Sequence, residues 1–488
     1  MQGNRRGHRS AVRSGLLTGL STAAASGAAG IAGAILSRKF GHGATTDGFF
    51  AAYAIYLALL LVASALRVVV LPEFARAQAA VERGLAREVG SWSLALALPL
   101  VPAVAVALFA PHAVAGLLTH GAVARSSAAE LLPWLIPAAA TQVYAGVAAS
   151  ALAALDDYTT AAFGYFAGAV VGVAVIASLV GHGVEAFGWG LAANGAVSLG
   201  IPLVALVRAG GLGLPDLAIG RRLRALVEGV SLPFALQGLY VIGYAFAGGL
   251  GTGKPTSFSY AYLIASLLVA VTATSVALIS SVPLARGELT PERSARHIVG
   301  ASWLALAVVA GAAGFFSLAG EKVARIALGS AYGGGTGSEL GRLVAYLAPW
   351  MVASIALSVA FPLLFVRGST RWLPALAAAA LGVHVLVEWA GRAAFGLAGL
   401  AAGMAVTTAL ILVGLLAGLG ALGPTSRGLL VATAACALPA VAFYGGARLL
   451  VGPLPAAAIG LVLYAAALAL WRPAGLRDAW EYLRGLHG

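Results

Sequence analysis

Charge is scarce in this chain: only 10% of its 488 residues are Asp, Glu, Lys or Arg, while 60% are hydrophobic and 64 are glycine. A water-exposed surface draws on roughly 25% charged residues, so this composition excludes a soluble globular fold and makes the bilayer the solvent. Cysteine is nearly missing. Cys436 stands alone in an apolar run, which excludes an intrachain disulfide and a cysteine-rich metal site. No stretch is polar enough for a soluble domain, and neither a phosphate-cradling glycine loop nor the spacing of a catalytic triad occurs. Acidic residues number 17 against 30 basic ones, a formal charge of +13. The basic residues sit in short loops beside apolar segments, the pattern that orients membrane proteins, and no nucleic-acid partner is expected.

What the chain does have is apolar runs. A hydrocarbon core of about 30 Å needs roughly 20 residues per helical crossing. Runs broken by charge, Gly or Pro predict crossings at 14–37, 49–71, 91–110, 130–152, 160–181 and 186–207. A second set follows at 226–249, 256–283, 298–318, 341–365, 372–391 and 394–418, with a final pair at 428–447 and 453–471. The expected fold is thus an all-α polytopic membrane protein of about fourteen transmembrane helices. The first run follows Arg5, Arg6, Arg9 and Arg13 but is longer than a signal-peptide core, and is read as a retained helix.

An even count puts both termini on one side. That side carries 20 Lys and Arg residues against nine on the other, which predicts cytoplasmic termini. Residues 41–76 and 251–286 repeat a pattern: a Gly-rich outer loop, a Tyr-Ala pair (Tyr53-Ala54, Tyr260-Ala261), then a proline followed by Ala-Arg (Pro72 with Arg76, Pro283 with Arg286). Six crossings per unit return the chain to its starting side, so the repeat is parallel. The expected domains are a basic N-terminus (1–13), an N-lobe (14–207), a basic linker (208–225), a C-lobe (226–418), two C-terminal helices (428–471) and a tail (472–488). Two such lobes form a cleft, and rocking them gives alternating access. The linker carries Arg221, Arg222 and Arg224 and is read either as an amphipathic helix on anionic lipid or as a solvated loop.

The stretch from Phe40 through Gly41, Thr46, Asp47, Phe49 and Phe50 to Tyr53 resembles the MurJ/MviN flippases of the multidrug/oligosaccharidyl-lipid/polysaccharide (MOP) exporter superfamily. Their first outer loop and second helix carry a similar F-G-x-G-x-x-T-D-x-F-F-x-A pattern. Fourteen crossings also fit MurJ better than its twelve-helix relatives. The resemblance implies export of a polyprenyl-(pyro)phosphate-linked envelope saccharide, lipid II in that family, across the bacterial plasma membrane, without bond-making catalysis. It implies membrane lipids and the glycan as partners, a monomer, and no cofactor beyond Na+ or H+ as coupling ion. Departures fall at the family's basic positions: Ser26 to Gly33 lacks arginine, and Tyr56 to Leu61 replaces a P-N-x-x-R-R run. Tyr262 or Leu263 stands at another basic position. Those family arginines serve an anionic head group through charge and forked hydrogen bonds.

Ionisable groups inside crossings cost a few kcal/mol on insertion scales, so each is a functional candidate. Asp47, Arg67, Arg38 and Lys254 are the candidate head-group contacts. Asp47 is alternatively a helix cap, and Arg67 a residue snorkelling to the interface beside Glu73. His384 and Glu388, spaced i and i+4, share a helix face in the eleventh crossing. The resemblance implies a coupling-ion site of oxygen ligands on crossings 7, 11 and 12, where Glu388 and Glu228 would supply carboxylates. His384 points to a proton instead. Glu388 is alternatively an interfacial partner of Arg392, and Asp156-Asp157 is read as a polar turn rather than a metal pair. Three alternatives stay open: a cation-coupled exporter of small molecules from the same superfamily, a membrane-embedded glycosyltransferase or ligase, and an inactive scaffold. The enzyme would need acidic residues on a sizeable outer loop, and the longest expected outer loops, 111–129 and 319–340, carry no convincing acid pair.

Overall fold

The computed structural model describes residues 27–80, 84–274, 290–368, 370–471, 473 and 475–477. The basic start, the first half of the first crossing and the second repeat's Pro283 to Arg286 lie outside the described residues. The regular structure among the described residues is helical: α1 (27–40), α2 (Ala44–Ala80), α3 (Gly84–Phe109), α4 (Pro111–Leu118), α5 (Ala122–Ala154), α6 (Tyr158–Leu179), α7 (Glu185–Arg208) and α8 (Ile219–Gly248) come first. Then follow α9 (Lys254–Val269), α10 (Pro291–Leu328), α11 (Gly335–Tyr346), α12 (Ala348–Arg367), α13 (Leu373–Phe395), α14 (Leu397–Gly418), α15 (Leu422–Leu450) and α16 (Pro453–Trp471). Thirteen helical segments among the described residues are long and apolar enough to cross a membrane, matching the second to fourteenth expected crossings one for one.

Boundaries differ from the sequence reading where packing or turn chemistry intervenes. The second crossing continues through Pro72 to Ala80, because Val70 and Phe74 are fully buried and Glu73 accepts a hydrogen bond from the Trp92 indole at 2.9 Å. No ion pair joins Glu73 to Arg67 among the described residues. The crossing expected at 341–365 is broken at Leu347, two residues before Pro349, where the missing amide and the ring end the helical ladder. The expected outer loops are largely helical. Pro111 starts α4 from the N-terminal position it tolerates, and α10 runs on to Leu328 before Gly329 turns the chain at φ 101°. Asp156-Asp157 is a turn: Asp156 sits at φ 62°, and Asp157 caps α6 by accepting from the Thr160 amide (3.0 Å) and hydroxyl (2.6 Å).

The chain divides into two compact units, Met1–Val241 and Ile242–Gly488, with the division inside α8. In the first unit, apolar side chains of α2, α3, α5 and α8 form one core around Leu66, Phe74, Trp92, Val143 and Val230. Helices α6 and α7 meet along a ladder of small residues. A Cβ on Gly168 would lie 2.2 Å from Ser198 Oγ, and one on Gly172 would lie 2.9 Å from both Asn194 Cβ and Gly190 O. Close backbone approach of this kind is the membrane substitute for hydrophobic driving force. Of the expected linker, residues 219–225 are the first turns of α8 and the remainder is strapped to α3. The Asp216 amide donates to Ser91 Oγ at 2.7 Å, and Arg222, 1% exposed, holds Glu88 through Nη2 contacts of 2.9 and 3.0 Å.

In the second unit, α15 and α16 pack on α10 around Trp303, Leu306, Tyr444 and Tyr464. The two tyrosine hydroxyls donate to the carbonyls of Gly311 and Ala307, each at 2.9 Å. Both bonds fix C-terminal helices to α10 in a medium that offers no competing water.

Candidate functional site

Helix α13 buries a single stripe: Leu373, Ala377, Ala380, His384 and Glu388, at the spacing of one helix face. Its neighbour α14 comes so close that a Cβ on Gly399 would sit 1.9 Å from the Gly391 carbonyl oxygen. Two glycines make that backbone contact possible, and it places the buried polar face of α13 against the middle of α14. There α14 offers Gly403, Thr407 and Thr408, all buried.

His384 and Glu388 are both fully buried. His384 Nε2 lies 3.2 Å from Glu388 Oε1, and Nδ1 lies 3.0 Å from the Thr407 hydroxyl. Gly403 makes room for the carboxylate, since a Cβ there would come within 2.8 Å of Oε1. Gly243 closes the site from α8: its Cβ position is 3.7 Å from the same oxygen and 2.9 Å from the Phe258 ring of α9. Neither Glu388 oxygen accepts a hydrogen bond of good geometry among the described residues. A carboxylate so placed would lose its hydration without full replacement, a cost of several kcal/mol.

The geometry constrains the protons. An unprotonated imidazole nitrogen and a carboxylate oxygen 3.2 Å apart would set two lone pairs against each other, so at least one member of the pair carries a proton. The Thr407 hydroxyl can donate to Nδ1 or accept from it, so the second nitrogen is served in either charge state of the ring. Other titratable groups are few here. Helix α14 has none, the α8 segment 242–248 has only Tyr244, and on α13 Arg392 donates from Nη2 to the Gly249 carbonyl at 2.9 Å. The arrangement can hold and release one proton, with a hydroxyl rotation as the accompanying movement.

The remaining sequence candidates belong to both units. Glu228 belongs to the first unit and pairs with Arg224 at 2.9 Å. Arg67 stacks over the Tyr165 ring, 4.9 Å from its centroid, an attraction between cation and ring face. Asp47 is 5% exposed in the first turn of α2, beside Gly48, whose Cβ position is 2.4 Å from the Ala124 carbonyl oxygen of α5. Arg38 is exposed near the end of α1, and Lys254 pairs with Glu339 at 2.5 Å. Sequence reasoning overlooked Thr407 and Gly403. Thr407 and Thr408 are the only side-chain hydroxyls in α14, a signal that was available; Gly403 is one of several glycines there and had none.

No family model matches the sequence, and no curated protein is similar to it in sequence. Solved structures are similar in fold. A lipid II flippase MurJ in an inward closed conformation superposes with a TM-score of 0.74 at 12% identity, covering 94% of this chain and 99% of that one. An inward-facing multidrug resistance MATE family transporter of the MOP superfamily gives 0.62 at 16% identity over 83% of this chain and 94% of its own. A MOP superfamily transporter from Pyrococcus furiosus gives 0.60 at 15% identity over 87% and 96%. The similarity spans nearly the whole length of each, and this chain has the polytopic helical fold of the MOP-superfamily transporters.

Proposed function

We propose that this protein is a flippase that carries a polyprenyl-(pyro)phosphate-linked envelope saccharide from the cytoplasmic to the outer leaflet of a bacterial plasma membrane by alternating access. The observation that carries the reading is the whole-length likeness to a lipid II flippase, closer in backbone than the likeness to the MATE transporter. The MurJ-like stretch from Phe40 to Tyr53 supports it, and the basic asymmetry supports cytoplasmic termini. In this reading Arg67, held on Tyr165, presents its N–H edge to the phosphate, and Asp47, Arg38 and Lys254 meet the head group elsewhere on its route. The driving ion is a proton taken by the His384–Glu388 pair. His384 sets a titratable imidazole, a carrier of protons rather than an oxygen ligand, 3.2 Å from the carboxylate.

The test is reconstitution of the full chain in vesicles with a fluorescent polyprenyl-pyrophosphate glycan. A pH gradient should drive the label out of reach of an impermeant quencher, and Arg67→Ala should slow this at least tenfold. A second reading, a proton-coupled exporter of small molecules, is favoured by the MATE likeness and by Tyr56 to Leu61 standing where the family has arginines. That reading takes over if the glycolipid stays in place while a small organic cation is expelled under the same gradient.

A further inference from the structure

A second site lies in the C-terminal unit, away from the His384–Glu388 pair. A cavity of about 370 Å³ is lined by residues from the start of α9 (Lys254), from α11 (Glu339, Arg342, Tyr346) and from the α13–α14 junction, including Phe395 and Leu397. Lys254 is held by Glu339, whereas Arg342 has no ion-pair partner among the described residues. The lining therefore carries one uncompensated positive charge, and Arg392 adds a second nearby through its bond to Gly249, next to the lining residue Leu250. Gly396 keeps the wall low: at φ 57° and ψ −131° only glycine is at ease, and its Cβ position faces open space. No side chain caps the start of α14, so the Leu397 and Ala398 amides add to the donors there.

The rim is apolar. Phe395 is 74% exposed and Tyr346 48%. A free inorganic anion would have no use for those rings, whereas an amphiphile would set its phosphate on Arg342 and Lys254 and lay its first methylenes along Phe395 and Tyr346. We infer that this corner binds the phosphate of an anionic membrane lipid, with Arg342 as the principal contact. By the charge asymmetry it faces the outer leaflet. Arg342 has no part in the proposed cargo route, and Lys254, held by Glu339, is the one residue the two share, so a resident phospholipid would occupy this corner whether the protein moves a glycolipid or a small molecule.

The test is native mass spectrometry of the intact chain in a neutral detergent, titrated with dioctanoyl phosphatidylglycerol, dioctanoyl phosphatidylcholine or inorganic phosphate. The proteins are wild type, Arg342→Gln, and Arg448→Gln as a control arginine of the same unit outside the cavity. The expected result is saturable phosphatidylglycerol binding that weakens at least fivefold in Arg342→Gln and is unchanged in Arg448→Gln, with weaker binding of the other two probes. Because Arg342 is exposed, its replacement leaves the fold intact, which a matching thermal melt verifies. Equal loss in both variants, or none in Arg342→Gln, overturns the site. Phosphate binding as tightly as the lipid overturns the assignment to an amphiphile.

Discussion

Each unit encloses a titratable or charged side chain beside a partner, and the two pairs are built on opposite terms. In the N-terminal unit Arg222 is fully enclosed, and its guanidinium donates to both Glu88 oxygens and to the carbonyls of Ala218 and Asp216. Nearly every N–H is served, so the pair is a pin that holds the strap before α8 onto α3. In the C-terminal unit Glu388 is equally enclosed, yet it has His384 beside it and no well-formed donor among the described residues. A satisfied ion pair resists change, whereas an under-served carboxylate is poised to gain or lose a proton. Burial alone does not distinguish the two pairs; the deficit in hydrogen bonding does.

Mutations separate these roles. Arg222→Ala should have the largest effect on stability, about 3 kcal/mol, because it leaves Glu88 without its partner and frees the strap; thermal unfolding in detergent reads this directly. Gly168→Leu follows at roughly 2 kcal/mol, since a side chain there meets Ser198 and Asn194 and drives α6 from α7. Glu388→Gln should reverse the pattern: melting unchanged or slightly raised, and proton-driven transport abolished. A melt lowered as far as that of Arg222→Ala would turn the His384–Glu388 pair into a second pin and end its assignment as a proton site. Thr407→Val is the mildest, about 1 kcal/mol for one buried hydrogen bond. Its informative readout is the pH dependence of transport, which should shift because the hydroxyl serves both ring states of His384.

Much of the fold was legible because a bilayer imposes one rule on every crossing: enough consecutive apolar residues, helically bonded. The runs at 160–181, 186–207 and 453–471 end within a few residues of α6, α7 and α16. Legibility failed where an apolar count says nothing about the backbone. The 111–129 and 319–340 stretches are broken by polar residues and look like loops, yet α4, α5, α10 and α11 take up most of them. Residues 341–365 look continuous, yet Pro349 divides them. In the candidate site, the i, i+4 spacing was enough to place His384 and Glu388 on one face, since that relation is local. Thr407, nineteen residues beyond Glu388, could not be joined to it by any periodicity, because the Gly391–Gly399 contact that sets the crossing of α13 and α14 is a property of two helices.

Composition and hydropathy therefore settle the solvent, the places of the thirteen spans found among the described residues and the nearest-neighbour pairs along each helix, because these depend on transfer free energy and on a fixed rise per residue. Folding settles which charges are answered. Arg222 was one arginine among several in a basic stretch until α3 brought Glu88 to it, and Lys254 was an end-of-helix cation until α11 supplied Glu339. Such partners lie 134 and 85 residues apart in the chain, and only packing brings them within hydrogen-bond range.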